Sequence, residues 1–313
     1  MAKIYIIGGA NIDIIAKSDK ELILRDSNIG KIELSYGGVG RNIGENLAYL
    51  GEKVTFISCF SEDYFGRLLR FNCESLGFDL SYAKTVPGAS ASTYLAVLDE
   101  NRDMQVGIND MKIMDELKED TIDALAEAVQ DEDYVFVDTN LSKELLEYAT
   151  KKLKGHKVSD AISVNKVNRL FSSIGRLDIL KVNRLEAEAI CGMSLDNEVK
   201  MISFLKILNE KGTKEVLVTV PEGVYIGAEG RVYKYTHDAL DKGVVNVTGA
   251  GDAFLSAYTY ARYKKAGIES AAIMGLAAAE LTVRCEQACA KITKNDIKKE
   301  LETLHISGGV IFE

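Results

Sequence analysis

The octapeptide Val247-Thr248-Gly249-Ala250-Gly251-Asp252-Ala253-Phe254 places one carboxylate directly after three small residues, where an aliphatic and aromatic run begins. Small residues let the chain turn tightly and leave the first N–H groups of a helix without partners, a site that favours phosphate. Beside such an anion hole, Asp252 has the chemistry of a base that takes a proton from an attacking hydroxyl. An acidic residue in the first turn of an ordinary helix has the same spelling.

A second small-residue stretch, Gly37-Gly38-Val39-Gly40-Arg41-Asn42, fits neither the dinucleotide pattern after a first strand nor a phosphate loop ending in Gly-Lys-Ser/Thr. Gly38 and Gly40 would let a ligand lie against backbone, and Asn42 could bond a hydroxyl; a tight structural turn is the alternative. Asn11 and Asp13 follow the apolar pattern of residues 3 to 8, where a carboxylate suits two vicinal sugar hydroxyls or caps a strand end. Asn183 and Glu186 are spaced to face a hydrated magnesium ion from the first turn of a helix, or to form a capping box.

These groups need a large scaffold, and 313 residues with 47% hydrophobic content can bury one, as one domain with an appendage or as two domains. The net charge of −9 argues against a nucleic-acid surface, which needs concentrated Lys and Arg. No run reaches transmembrane length and no secretory signal pattern opens the chain, so no membrane partner and a cytoplasmic location are expected. Five cysteines without a Cys-x-x-Cys pair and three scattered histidines predict neither a disulfide framework nor a zinc site.

After the first strand, residues 14 to 36 read as a small β excursion, Gly37 to Leu50 opens into a helix, Lys53 to Phe60 is a strand and 64 to 77 a helix. Residues 92 to 98 and 104 to 108 read as a hairpin able to pair with that excursion. Beyond Asp115, helices alternate with short buried strands: Tyr134 to Val137, one before Asp160, Asp178 to Lys181 and Glu215 to Val220. A hairpin follows, then helices from Ala253 to Lys265 and Glu269 to Thr282, and a final edge strand from Ile306 to Phe312. This rhythm predicts an α/β fold, a doubly wound and mostly parallel central sheet with helices on both faces and a small β-sheet lid.

With Asn246 to Phe254, Gly37 to Asn42 and Asn183 to Glu186 together, the chain resembles the PfkB, or ribokinase-like, carbohydrate and nucleoside kinases over essentially its whole length. Asp26 to Ile32, Gly37 to Ile43, Asn109-Asp110-Met111 and Asn183 to Glu188 resemble the branch that acts on pseudouridine, a C-glycoside nucleoside. The resemblance implies one ribokinase-like domain over 1–313, with the lid at about 14–36 and 90–110. It implies ATP and Mg2+, and transfer of a phosphoryl group to the 5′-hydroxyl of the nucleoside with Asp252 as base and Gly249, Ala250 and Gly251 as anion hole. Asn11, Asp13, Gly38, Gly40 and Asn42 would hold the ribose, Lys166 would meet substrate or phosphate, and Thr93, Tyr94, Asn109 and Asp110 would offer groups to the base. Asn183, Glu186, Thr219, Gly223 and Thr248 would serve the nucleotide, with Glu186 reaching Mg2+ through water and adenine between the Thr219 turn and residues 280 to 290.

In many relatives K+ activates and the lid pairs two subunits. Here Asn246 stands where many carry an aspartate, a weaker cation ligand; the lid implies a homodimer, with Glu100, Arg102 and Asp103 at its turn as the alternative means of blunting that edge. The turn Thr219 to Gly223 is one residue shorter than usual, and two family prolines are absent at Asp160-Ala161 and Lys181-Val182, which predicts looser loops. Rival readings are a kinase for ribose, adenosine or uridine, and a non-catalytic nucleoside or sugar sensor. A dehydrogenase lacks its fingerprint in Gly8-Gly9-Ala10-Asn11.

Overall fold

The computed structural model describes residues 2–238 and 243–313. Strand β1 (Ile4–Ile7) passes through Gly8-Gly9-Ala10 into β2 (Asn11–Ser18), which pairs antiparallel with β3 (Gly30–Gly37). Helix α1 (Val39–Tyr49) returns to β4 (Val54–Ile57), followed by β5 (Cys59–Ser61), α2 (Tyr64–Ser75) and β6 (Lys84–Val86). A hairpin of β7 (Thr93–Leu98) and β8 (Met104–Asp110) comes next. Then α3 (Glu119–Ala128), β9 (Tyr134–Val137), α4 (Lys143–Lys152), β10 (His156–Asp160), β11 (Ile179–Asn183), α5 (Arg184–Cys191), α6 (Glu198–Glu210) and β12 (Glu215–Val220) alternate. The chain closes with β13 (Gly223–Ala228), β14 (Arg231–His237), α7 (Ala250–Tyr263), α8 (Ile268–Val283), α9 (Lys294–Glu300) and β15 (Ile306–Phe312).

The main sheet runs β15-β14-β13-β12-β11-β10-β9-β1-β4, parallel from β12 to β4 and antiparallel from β12 to β15. Side chains alternate between its faces: Ile4 and Ile6 join the core under α1, α2, α7, α8 and α9, while Tyr5 and Ile7 join the core under α3, α4, α5 and α6. Both faces are therefore covered, which is why the central strands are apolar throughout rather than alternating. This is the expected doubly wound α/β architecture. A separate sheet, β3-β2-β7-β8, joins the excursion to the hairpin as the periodicity predicts.

Three differences have local causes. The strand expected from Lys53 to Phe60 divides at Ser58, because β5 leaves the main sheet to pair with β6. Strand β2 starts at Asn11, earlier than the expected residue 14, because Asn11 pairs with Gly37. Helix α7 starts at Ala250, so Asp252 lies in its first turn rather than before it. Helix α9 was not anticipated, although Thr293 and Asp296 spell its capping box. No helix among the described residues is long and apolar enough to cross a membrane.

Candidate active site

Neighbouring parallel strands β9, β10 and β11 bring Asp138, Asp160 and Lys181 to one edge of the main sheet, and the first turn of α7 sets Asp252 against them. In an open α/β sheet the carboxyl ends of the strands are where ligands bind. All four side chains are buried. Lys181 Nζ lies 3.0 Å from Asp160 Oδ2, and Asp160 Oδ1 accepts the Ile162 N–H at 2.8 Å. Burial works against the Lys181 ammonium, but Asp160, Glu186 and Asp252 around it outweigh burial and raise its pKa. Ile162 holds φ of 65°, an uncommon conformation for a β-branched residue and a mark of a constrained site.

Asn42, on α1, donates from Nδ2 to Asp252 Oδ2 at 2.9 Å. Residues 210 positions apart meet here because α1 and α7 pack side by side. A carboxylate in the first turn of a helix is stabilised by the helix dipole, yet burial and the nearby Asp160 prevail and push Asp252 up to about 7. Asn42 and Lys181 pull the other way. A carboxyl group poised near neutrality suits a general base.

Gly249 caps α7 with φ of 84°, and a β-carbon there would lie 1.7 Å from the Ala288 carbonyl oxygen. Both the left-handed backbone and the close approach therefore require glycine. Asn246 secures this turn from both ends of its amide, donating to the Glu286 carbonyl at 3.0 Å and accepting from the Thr248 N–H at 2.9 Å. The Ala250 N–H reaches the Val247 carbonyl at 3.4 Å. Gly251 and Asp252, next along the first turn, carry N–H groups that no helical carbonyl precedes closely enough to bind.

Asp138 is a buried carboxylate at the site that sequence reasoning missed. Its Oδ2 accepts from the N–H groups of Gly9 at 2.8 Å and Gly40 at 3.2 Å, fastening the turn after β1 to the start of α1. Its position just after the apolar run 134–137 was the available signal. Gly38, with φ of 98°, crosses so close to Gly9 that a β-carbon would sit 2.4 Å from the Gly9 carbonyl oxygen. Lys166 reaches this network indirectly, donating to Asn140 Oδ1 at 2.6 Å while Asn140 donates to Asp138 at 3.1 Å. Burial lowers the Lys166 pKa. Asp160 and Lys181 also went unassigned in the sequence, since their roles depend on each other across two strands.

Asn183 and Glu186 form the capping box: Glu186 N–H donates to Asn183 Oδ1 at 2.9 Å and Asn183 N–H to Glu186 Oε2 at 2.8 Å. Burial and Asp160 raise the Glu186 pKa, so the same carboxylate also belongs to the buried charge cluster. Thr219 pairs with Asn183 across β11 and β12, and Gly223 opens β13 after the two-residue turn Pro221-Glu222. The shortened turn is thus a tight hairpin whose Glu222 lies 3.3 Å from Arg184 Nη2. At Asp160-Ala161, Ala161 donates its N–H to the Lys181 carbonyl at 3.3 Å, a bond that proline lacks. Val182 sits inside β11, opposite Val218.

Asp13 lies on β2 with Asn11 hydrogen-bonded to its Oδ1, and burial raises its pKa to about 6 against the pull of Asn11 and Arg41. The register of the smaller sheet sets Ser35, Asp13, Tyr94 and Asn109 side by side on one face. In the adjacent rank Thr93 pairs with Ile12 on one side and with Asp110 on the other, so Thr93 and Asp110 belong to the opposite face from Asp13.

Known proteins resemble this chain in sequence and in fold. Residues 1–295 match the pfkB family of carbohydrate kinases. The chain is 32% identical over 291 residues to pseudouridine kinase of Escherichia coli K12, covering 92% of this chain and 89% of that one. It is 28% identical over 301 residues to guanosine-inosine kinase of Exiguobacterium acetylicum, covering 91% and 96%. The crystal structure of a putative sugar kinase from Clostridium perfringens superposes with a TM-score of 0.87 at 26% identity, covering 100% of this chain and 99% of that one. The small-residue turn that opens α7, with Asp252 buried in its first turn, and the two-sheet architecture thus go with a family match over nearly the full length, and the chain belongs to the pfkB family of carbohydrate kinases.

Proposed function

We propose that this ATP-dependent phosphotransferase takes pseudouridine as its acceptor, giving pseudouridine 5′-phosphate and ADP. The observation that carries the reading is Asp252, buried, pushed up to about 7 and held by Asn42 at the head of α7. Asp252 accepts the proton of the 5′-hydroxyl as that oxygen attacks phosphorus. Lys181 and the free backbone N–H groups at the head of α7, that of Gly251 foremost while Ala250 N–H reaches the Val247 carbonyl, face the charge on the transferring group; a β-carbon on Gly251 would lie 2.5 Å from Lys181 Nζ, which shows how near that ammonium stands.

Asp13, Asn11, Gly38, Gly40 and Asn42 hold the ribose, and the face shared by Asp13, Tyr94 and Asn109 continues past the sugar to the base. That continuation supports a nucleoside over a bare sugar, because Asn109 offers both a donor and an acceptor to an imide edge. The likeness to pseudouridine kinase supports the same choice. Asn183, Thr219, Gly223 and Thr248 serve the nucleotide. The donor set fits Mg2+: Glu186 and Asp160 are buried carboxylates close enough to raise the Glu186 pKa, a cost that a nearby cation relieves. Glu186 would hold Mg2+ through water beside the nucleotide phosphates. When bound, it neutralises phosphate charge. K+ finds a weak ligand in Asn246, whose oxygen already accepts the Thr248 N–H.

The smaller sheet acts as a lid over this acceptor site within one kinase domain. Ile32, Leu34, Val106 and Ile108 are exposed on its outer strands and support a homodimer through that sheet. ADP release from Mg–ATP, with pseudouridine, uridine, ribose and adenosine offered separately to wild type and Asp252→Asn, tests the reading. Turnover with pseudouridine that falls about 10²-fold or more in the variant supports it. Turnover only with another acceptor overturns the substrate, and binding without turnover favours a sensor.

A further inference from the structure

Arg41 is 3% exposed, and its Nη1 and Nε both have partners. Its Nη1 lies 2.7 Å from Glu45 Oε2, 3.2 Å from Asn42 Oδ1 and 3.4 Å from the Tyr36 carbonyl oxygen. Its Nε donates to Asn72 Oδ1 at 3.1 Å, and the guanidinium carbon stands 5.5 Å from the centre of the Tyr36 ring. The Tyr49 hydroxyl donates to Glu45 Oε1 at 2.8 Å. Tyr49, Glu45 and Arg41, each one turn apart on α1, thus form a chain, half-buried at Tyr49 and buried from Glu45 inward, that ends on Asn42 and, through it, on Asp252.

A carboxamide can present either its oxygen or its NH2 to a neighbour, and the surrounding donors and acceptors decide which. Turned one way, Asn42 donates to Asp252 and favours the carboxylate. Turned the other way, it offers an oxygen that only the protonated acid can use. A guanidinium is donor-only, so Arg41 accepts no NH2 opposite it and excludes the second orientation. The other ionisable groups near Asp252 cannot make this choice: Asp160 from β10, Lys181 from β11, Asp138 after β9 and Cys289 from the segment after α8 act on its charge, not on the amide.

We propose that Arg41 is a positioning residue for the base: through Asn42 it keeps Asp252 an ionised proton acceptor, and through the Tyr36 carbonyl at the end of β3 it ties that setting to the lid. The proposal rests on the phosphotransferase reading for its catalytic meaning, but its effect on Asp252 exists without turnover. Arg41→Lys keeps the charge beside Glu45 while a single ammonium cannot span the four partners. Arg41→Gln with Glu45→Gln removes both charges and leaves neither buried alone.

The test has two readouts. The Asp252 carboxyl is titrated by 13C NMR in protein labelled at aspartate carboxyl carbons, with Asp252→Asn for assignment, and kcat is measured against pH with pseudouridine. In both variants the midpoint should move up by about one pH unit and kcat at pH 6.5 should fall about 10-fold, with the high-pH plateau held within about 3-fold and KM for ATP unchanged. An unmoved midpoint in a folded variant, or a plateau that falls equally at every pH, overturns the proposal; so does loss of the fold in both variants, which would make Arg41 a structural residue of α1. Wild-type protein inactive on every acceptor would instead overturn the phosphotransferase reading, with the NMR midpoint still deciding the role of Arg41.

Discussion

Gly251 lacks a side chain where Lys181 needs the space: a β-carbon at 251 would meet Lys181 Nζ at 2.5 Å and Cε at 3.2 Å. The glycine of the anion-hole turn and the lysine of β11 are therefore one unit. Gly251→Ala should displace the ammonium and lower kcat by about 10-fold or more, with little change in acceptor KM, as loss of a transition-state contact does. Steady-state kinetics on the folded variant measure it.

Lys181→Met removes the partner of buried Asp160. An uncompensated buried charge typically costs about 3–5 kcal/mol, so this variant should lose both activity and stability, whereas Lys181→Met with Asp160→Asn should recover stability without recovering turnover. Denaturant melts beside kinetic assays separate the two effects.

Asp252 titrates near 7 in the folded protein, above the ordinary carboxylate range. Turnover should therefore rise with pH through about 7 as the base ionises. For stability the sign is opposite. The folded state keeps a proton that the unfolded chain releases near pH 4, so the stabilisation is complete below about pH 4 and is lost as pH rises through about 7. Asp252→Asn, which cannot ionise, should raise the melting temperature at pH 8 by a few degrees and by less at pH 5, while turnover collapses. Melts at the two pH values decide it.

Asn109 and Thr93 fall on opposite faces of the smaller sheet, with Asp13 on the Asn109 side. Asn109→Ala should raise KM for pseudouridine about 10-fold and change KM for ribose little, while Thr93→Val should leave both within about 2-fold. Equal effects of the two substitutions would remove Asn109 from base recognition.

Much of the architecture was legible because periodicity is local. The apolar run at residues 4–7 and the buried face of α7 each declare their own element. Asp252 was legible too, since its turn is contiguous with it. Asp138, Asp160, Lys181 and Arg41 were not, because each acquires its role from a partner elsewhere in the chain: Asp138 from N–H groups 129 and 98 residues away, and Lys181 from a carboxylate 21 residues earlier. Nothing in the spelling of a lone aspartate after a strand distinguishes a fastener of two loops from a solvated strand end. The split at Ser58 escaped for the same reason, since it depends on β6 arriving from residues 84–86.

The bonds from Asp138 to Gly9 and Gly40 have a thermodynamic consequence for acceptor binding. Two glycine-rich segments that would otherwise sample many conformations are fixed when the chain folds, so their ordering entropy is already spent before a ligand arrives. An acceptor would meet a preformed cradle, and the heat and entropy of its binding would report chiefly on the smaller sheet.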